Sequence, residues 1–362
     1  MTGFLRSVAI VASFVASAAC ATTTTRLAPV ALADVKAEET AQREHVLLEL
    51  ARAQSRLDSL TFPLLVAARE VCTRKSGPRL GFAYATVHDY KGPWVEAART
   101  SLGLSDTLTV VRVTAGSPAA GAGILRGDRI LAVQRANVPT GRTATAALST
   151  AIAARDSSAT SLLLLRGPDT VSVEVAPVVL CNVGAVVTAE GDINAFADGK
   201  NIIFPWAMMR FAADEELLAV ISHEIAHNAM GHIEARQTNA AVGAFFGLLV
   251  DVAAASQGVN TYGENSANFM SAAAVAFSQD FEREADYVGL YIMARAGVAL
   301  EGAPRLWRQF AQINPSAIGY ASTHPTTAER FVRLRNAIQE IEAKRANQQP
   351  LLPEMKRPTV PR

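Results

Sequence analysis

The sequence predicts an α+β protein built from a β-rich unit followed by a mainly helical one. From about residue 77 to 177, short runs of β-branched residues alternate with Gly and Pro, which is typical of strands joined by tight turns. After Cys181, two strand-like runs lead into long Ala-rich helical segments. A length of 362 residues leaves room for two folded units with extra segments.

The amino-acid composition excludes some classes of protein. Half of the residues are hydrophobic and 19% are charged, so the chain can bury substantial cores and the bulk of it is not expected to be disordered. The formal net charge is only +1. Because we find no basic stripe and no RNA-binding signature, we expect no nucleic-acid partner.

Residues 1–20 predict a secretory signal peptide. Arg6 precedes a short apolar run, residues 8–19, that is too short to span a membrane. The run ends in small residues before Cys20 and resembles a lipoprotein cleavage site, with residues 21–33 as a polar tether. We therefore expect acylation of Cys20 and anchoring to the outer membrane from the periplasm. Cleavage near Ala18 or Ala19, leaving a soluble periplasmic or secreted protein, is the alternative.

The remaining cysteines, Cys72 and Cys181, flank the β-rich unit. In an oxidising compartment they could form a disulfide that clamps the two ends of that unit together. Two separate buried thiols are the alternative.

Residues 34–76 predict a helical lead-in, because Leu47, Leu50, Leu57 and Leu60 recur at near-helical spacing. Pro63 interrupts the pattern and favours two helices over one. In the next unit, β-branched runs predict strands at 107–113, 130–134, 161–166 and 170–175.

Two later segments have unusual composition. Residues 242–255 are apolar, but the stretch is too short to span a membrane comfortably and it contains Asp251. We predict a buried or hairpin helix there, with an interfacial helix touching the bilayer as the alternative. The end of the chain, residues 346–362, is rich in Pro and predicts a flexible tail.

One helical run carries a metal-binding pattern. His223 and His227 are four residues apart, so both imidazoles lie on one helix face and can reach one cation. Glu224 is placed to contact a water on the metal rather than the metal itself. Two imidazoles, a third ligand and an open position are the parts of a catalytic zinc site.

Glu282 is the predicted third ligand. It lies 55 residues after His227 on another helical run, and Asp286 follows it by one turn, placed to orient a ligand histidine. Glu284 is the competing ligand, but no acidic residue follows it by one turn. His232 does not have the spacing of a third histidine ligand, and we expect it to cap a helix or support the site.

These blocks resemble the M48 (Ste24/HtpX-like) zinc metallopeptidases. The resemblance covers roughly residues 183–341, within a unit that we place at 181–345. It rests on the His223–His227 block, the Glu282–Asp286 block, the segment Asn194-Ala195-Phe196-Ala197, and Thr323-His324-Pro325 with Glu329-Arg330. Residues 204–206, Phe-Pro-Trp, depart from the family pattern, which could alter the substrate groove.

The resemblance implies a mainly helical, gluzincin-type zincin domain with a small edge-strand sheet. It implies one Zn²⁺ per chain, held by His223, His227 and Glu282, with Glu224 as general base. His324 would stabilise the oxyanion or occupy the open site in a resting form. Asp286 and Arg330 would support the ligands. Arg330 could also stabilise the oxyanion as His324 would, or equally form a structural ion pair. The strand at 194–197 would pair with an extended substrate.

The β-rich unit, residues 77–178, resembles the PDZ domains of bacterial envelope proteases. Residues 109–133 carry the resemblance, with a strand, a Gly-Ser-Pro-Ala-Ala turn, a short helix, a Gly-Asp turn and a second strand. Leu80, Gly81 and Phe82 resemble the loop whose backbone N–H groups bind a peptide carboxylate. A PDZ-like spacer without a ligand is the alternative.

Together the resemblances imply a zinc endopeptidase of the bacterial envelope that hydrolyses misfolded or unfolded proteins, selected partly through the PDZ domain. The alternative is a chaperone-like or PDZ binding factor with a latent metal site. A CAAX-type membrane protease is a weaker possibility, because it would need several membrane spans. Physiological substrates, cleavage preference, oligomeric state and autoinhibition stay open.

Overall fold

The computed structural model describes residues 25–73, 76–155, 157–256, 261–313 and 328–355. The predicted signal peptide with Cys20, and the segment that contains His324, lie outside these ranges. The described residues before Thr40 belong to a unit of their own, and the rest of the chain from Thr40 forms a second unit.

The helical lead-in is a single helix, α1 (Leu32–Ala67), followed by one 3₁₀ turn, Ala68–Glu70. The predicted break at Pro63 is wrong, because the helix continues through it. Leu57 and Leu64, on either side of Pro63, are fully buried in the same core. This packing compensates for the backbone hydrogen bond that proline cannot donate.

The β-rich unit contains a sheet with strand order β2-β3-β4-β6-β7 and antiparallel pairing throughout, with β5 added to β4. The strands are β2 (Phe82–Ala85), β3 (Thr109–Val113), β4 (Arg129–Val133), β5 (Ala136–Asn137), β6 (Thr160–Arg166) and β7 (Asp169–Val175). Helices α2 (Trp94–Leu102), α3 (Pro118–Gly121) and α4 (Ala144–Ala153) complete the unit. Alternate residues of β6 are buried, which is the period-2 pattern expected of strands covering a core.

The two ends of the β-rich unit are joined to each other. Strand β1 (Ser76–Arg79) pairs antiparallel with β8 (Val178–Cys181). Beside this ribbon, Cys72 and Cys181 form a disulfide with a Cα–Cα distance of 5.8 Å, and Cys181 is fully buried.

The second half of the chain consists of a small sheet and a set of helices. The sheet has the order β10-β11-β9, in which β11 pairs parallel with β9 and antiparallel with β10. Its strands are β9 (Gly184–Thr188), β10 (Phe196–Ala197) and β11 (Asn201–Pro205). The helices are α5 (Trp206–Phe211), α6 (Asp214–Ala229), α7 (His232–Ser256), α8 (Glu264–Arg295), α9 (Gly302–Ile313) and α10 (Ala328–Ala346). A mainly helical unit after a β-rich unit confirms the predicted α+β class.

Helix α7 takes the hairpin form of the predicted buried or hairpin helix, and several of its large apolar side chains are exposed. Phe245 and Phe246 are 57% and 54% exposed, and Leu248 and Leu249 are half exposed. The helix pairs with α8 as a hairpin, and the charge of Asp251 is satisfied within it by Thr261, Asn265 and Ser266. Among the described residues, no helix is both long and apolar enough to cross a membrane.

The predicted flexible tail is also wrong for residues 350–355. Leu351 packs against the main core, and Pro353 is buried. The Lys344 ammonium donates to the carbonyl of Leu352 at 2.7 Å, and the backbone N–H of Glu354 donates to the hydroxyl of Tyr287 at 3.0 Å. The Pro content of this segment predicts a frayed end, but its packing against the rest of the protein orders it.

Helix α1 contacts both halves of the chain. The Gln54 amide donates to Ala185 O at 2.9 Å and accepts from Val187 N–H at 2.8 Å, so one side chain pairs with the free edge of β9 as a strand would. One turn later, Asp58 accepts from Arg112 of β3 at 3.0 Å.

We predict that the Cys72→Ala/Cys181→Ala variant has a free energy of unfolding about 2–5 kcal/mol below wild type. The disulfide links residues 109 apart, so removing it releases a long loop in the unfolded chain. Urea unfolding at equilibrium measures the difference. Wild type under reducing conditions should lose a similar amount, and a variant as stable as oxidised wild type contradicts the prediction.

Candidate metal centre

The centre is formed where helix α6 crosses helix α8. Gly289 allows the approach, because a Cβ at that position would lie only 3.2 Å from the backbone nitrogen of His223. Helix α6 is buried along its second half, so the side chains of His223 and His227 lie inside the protein rather than on its surface. Glu282 and Asp286, one turn apart on α8, face them.

Three side chains meet in this space. The Nε2 atoms of His223 and His227 are 3.1 Å apart. The two carboxylate oxygens of Glu282 lie 3.3 Å from His223 Nε2 and 3.2 Å from His227 Nε2. Each residue offers one donor atom within 4.8 Å of the others, which makes them a candidate metal-binding group.

The spacing suits a tetrahedral cation. Zinc bonds to imidazole nitrogen and carboxylate oxygen are about 2.0–2.2 Å long, so neighbouring ligand atoms in a tetrahedral site lie about 3.3–3.5 Å apart. The distances between donors here are 3.1–3.3 Å. Two imidazoles and one carboxylate are also a ligand set that zinc accepts. The residues therefore fit the metal that the sequence predicts.

His223 is held from its other side by a buried ion pair. Its Nδ1 lies 2.9 Å from Asp286 Oδ1, and that same oxygen accepts from Arg330 Nη2 at 2.6 Å. The Arg330 guanidinium lies 3.3 Å from the centre of the Trp307 ring, which in turn meets His223 edge-on at 5.5 Å. A cation–π contact and a carboxylate thus fix Arg330 beside His223.

The electrostatics of the two histidines differ. Burial disfavours the charged form of His223, but the carboxylates of Asp286 and Glu282 outweigh it and raise its pKa to about 10. Burial lowers the pKa of His227, and the neighbouring His223 adds to that effect. Burial raises the pKa of Asp286, but the charge of Arg330 and the bond to His223 bring it below its usual value. A cation bound here would compete with a proton on His223 for the Nε2 lone pair.

Glu224 is 1% exposed and lies next to His223 on α6, outside the group of three donors. Glu284, the competing ligand of the sequence prediction, points elsewhere, since its Oε2 lies 3.0 Å from His232 Nε2. His232 Nδ1 is 3.1 Å from His227 Nδ1. Trp307 has no sequence signal that links it to the site, and only the packing of α9 against α6 brings it there.

The predicted substrate strand lies at a sheet edge. Phe196 and Ala197 form β10, whose only strand partner within the described ranges is β11, and Phe196 is 45% exposed. Ala195 is buried and Asn194 is exposed at the entry to this strand. The edge runs beside α6, the helix that carries His223 and His227.

In the β-rich unit, Leu80 and Gly81 connect β1 to β2, which begins at Phe82. Gly81 has a φ of +87°, and a Cβ on it would lie 2.1 Å from Ser117 Cβ. The carbonyl of Leu80 accepts from Ala119 N–H and that of Gly81 from Thr114 N–H, each at 2.9 Å. These contacts fix the conformation of the loop.

A cavity of about 390 Å³ opens beside this loop. It is bounded by the loop and β2, by Ile152 of α4, and by residues of α1 and β9. Strand β2 is at the edge of its sheet, so a peptide lying in the cavity could extend that sheet.

Comparisons with known proteins agree with these features. Residues 178–338 match the family described as peptidase family M48. The mitochondrial metalloendopeptidase OMA1 of Arabidopsis thaliana is 32% identical over 155 residues, covering 42% of this chain and 31% of that protein. In Escherichia coli (strain K12), the β-barrel assembly-enhancing protease is 29% identical over 157 residues (40% and 32% covered), and the metalloprotease LoiP is 30% identical over 156 residues (40% and 58% covered). The chain thus spans between 31% and 58% of the length of these relatives.

Among solved structures, the PDZ domain of HtrA3 bound to a phage-derived ligand aligns with 23% identity and a TM-score of 0.23, covering 29% of this chain and 89% of that domain. The HtrA-type protease AlgW with a decapeptide aligns with 25% identity and a TM-score of 0.22, covering 29% of this chain and 30% of that one.

We predict that Asp286→Asn lowers the free energy of unfolding of the zinc-free protein by about 3–5 kcal/mol. The change removes the carboxylate charge while keeping the shape, and it leaves the buried Arg330 guanidinium without its anion. Urea unfolding measures the loss. The matched control is Glu329→Gln, which removes an exposed carboxylate paired with Arg333 and should change stability far less. Equal losses in the two variants would contradict the importance of the buried pair.

Proposed function

Because residues 178–338 form a peptidase family M48 domain, we propose that this protein is a zinc-dependent endopeptidase that hydrolyses unfolded or misfolded polypeptides. One observation carries the proposal. His223, His227 and Glu282 form a buried group of three donors with the spacing of a tetrahedral cation, and Glu224 is buried next to one of them.

Each residue of the centre has its own proposed role in peptide-bond hydrolysis. Zinc held by His223, His227 and Glu282 would polarise the scissile carbonyl and lower the pKa of an attacking water. Glu224 would accept the proton from that water and later deliver it to the leaving amine. Asp286 and Arg330 would hold His223 in the orientation that the metal needs. By resemblance, His324 would stabilise the oxyanion.

Substrate binding is proposed along β10. An extended polypeptide pairing with the free edge of Phe196 and Ala197 would form backbone hydrogen bonds, which do not depend on the side chains of the substrate. This mode needs an unstructured segment, because a folded protein has few free strands to offer. It therefore supports unfolded or misfolded chains as the substrate class.

The PDZ-type unit is proposed to select substrates by their C-termini. The cavity beside the Leu80–Phe82 loop supports this, since its apolar lining by Leu80, Phe82 and Ile152 suits a hydrophobic last residue. Arg79 also lines it and would attract a carboxylate, whereas the charge of Arg112 is already paired with Asp58.

The proposed location is the periplasm, with an acylated Cys20 anchored in the outer membrane. The N-terminal sequence pattern supports this location. The relatives include proteins named mitochondrial and others from E. coli, so they are compatible with more than one compartment. The mass of the mature N-terminus would distinguish the acylated form from a soluble one.

We predict that Glu224→Gln lowers the rate of cleavage of an unfolded model protein about 10²–10⁴-fold while leaving one zinc per chain. The amide cannot accept the proton, but the three metal-binding residues are unchanged. Cleavage of reduced, carboxymethylated casein with zinc content determined in parallel tests this. Glu215→Gln, an exposed position on the same helix, is the matched control and should cut at the wild-type rate.

Cleavage by Glu224→Gln at the wild-type rate would contradict the assigned base. If wild type holds zinc but does not cut, the latent-site, chaperone-like alternative is favoured over the peptidase.

We predict that Gly81→Ala weakens binding of a C-terminal peptide at least about tenfold, because its Cβ would overlap Ser117 and displace the loop. The probe is a fluorescein-labelled decapeptide ending in valine with a free carboxylate, followed by fluorescence anisotropy. Gly116→Ala is the matched control, since Gly116 also has a positive φ (+73°) but no atom within 4 Å of the added Cβ. Equal binding of the free and the amidated peptide to wild type would contradict carboxylate recognition.

A further inference from the structure

His232 lies beside the candidate metal centre, although it is neither a proposed metal ligand nor the proposed base. It is the first residue of α7, is 3% exposed, and stacks on Phe281 with ring centres 4.7 Å apart. One of its ring nitrogens faces His227 and the other faces Glu284. Both hydrogen bonds have ordinary lengths, 3.1 and 3.0 Å.

The order of these contacts dictates where each proton lies. His227 can bind a cation through Nε2 only if that nitrogen keeps its lone pair, so a neutral His227 carries its proton on Nδ1. That N–H then donates to His232 Nδ1, which must accept. A neutral His232 therefore carries its proton on Nε2, where the Glu284 carboxylate accepts it.

We propose that His232 and Glu284 form a positioning pair that holds His227 in the tautomer and orientation in which Nε2 binds the metal. The proposal rests on the proposed zinc function. In this arrangement His232 is the hydrogen-bond acceptor for Nδ1 of His227, just as Asp286 is the acceptor for Nδ1 of His223. The proposal also assigns Glu284 a role as acceptor for His232 instead of metal ligand.

A purely structural role for His232, filling space against Phe281, is the competing explanation. The two roles differ in what a substitution must preserve. Packing needs a ring of similar size, whereas positioning needs an acceptor where Nδ1 lies. His232→Phe keeps a ring and removes the acceptor, while His232→Asn removes the ring and offers its amide oxygen near the position of Nδ1.

The test is the zinc affinity of the full chain, measured by competition with a chromogenic chelator, together with the visible spectrum of the Co²⁺-loaded protein. We expect the zinc dissociation constant to rise about 10- to 100-fold in His232→Phe and in Glu284→Ala, with an altered Co²⁺ spectrum. His232→Asn and Glu284→Gln, which keep an acceptor, should recover most of the affinity. Asp280→Asn removes an exposed carboxylate one turn from Glu284 and should bind zinc as wild type does.

Each outcome decides a separate question. If wild type binds zinc and both His232→Phe and Glu284→Ala bind it within about twofold of wild type, the positioning pair is wrong while the metal site stands. If wild type itself fails to bind zinc, the proposed function is wrong. If His232→Phe does not fold, the Glu284 variants decide, because that side chain is 45% exposed and its loss leaves the core intact.

Discussion

The close packing of helix α6 on helix α8 is the contact on which the candidate metal centre depends. His223 and His227 come from one helix and Glu282 from the other, and their donor atoms meet at 3.1–3.3 Å. Gly289 makes this distance possible, because any larger residue would press on the backbone of His223. A shift of 1 Å between the helices would separate the carboxylate from the imidazoles and spoil the spacing that a small cation needs.

The centre is buried, so a second constraint is that its ionisable side chains need polar partners inside the protein. A buried ionisable group is stable only when hydrogen bonds or opposite charges replace its contacts with water. His223 is supported by Asp286 and, through it, by Arg330 on α10. His227 meets His232 at the start of α7. Helices α7, α8 and α10 therefore each supply a polar partner to a side chain of the centre, and α9 contributes the ring of Trp307.

Helix α1 connects the β-rich unit to the unit that carries the centre. It contacts β9 through Gln54 and β3 through Asp58, and the Cys72–Cys181 disulfide closes the connection nearby. The cavity beside Gly81 is lined by both units and by α1. A peptide bound there would touch the small sheet as well as the loop that contains Gly81.

The sequence by itself determined what depends on local spacing. Two histidines four residues apart must share a helix face, and Glu282 and Asp286 must lie one turn apart, whatever surrounds them. Four of the six strands in the sheet of the β-rich unit, β3, β4, β6 and β7, were predicted to within about two residues at each end, because β-branched runs between turn residues are also a local signal. The short strands β2 and β5 were not predicted.

Only the tertiary structure decided which of these local elements meet. It turned Glu282 toward the two histidines of α6 and Glu284 toward His232. It also brought Trp307 to His223 and His232 to His227. Each of these contacts depends on how neighbouring helices are oriented. It also overruled two local expectations, the helix break at Pro63 and the frayed chain end, and it decided for a hairpin where the sequence left burial or a hairpin open at residues 242–255. In each case the physical reason is the same, since burial is a property of the surface that a segment packs against, and its own residues do not specify that surface.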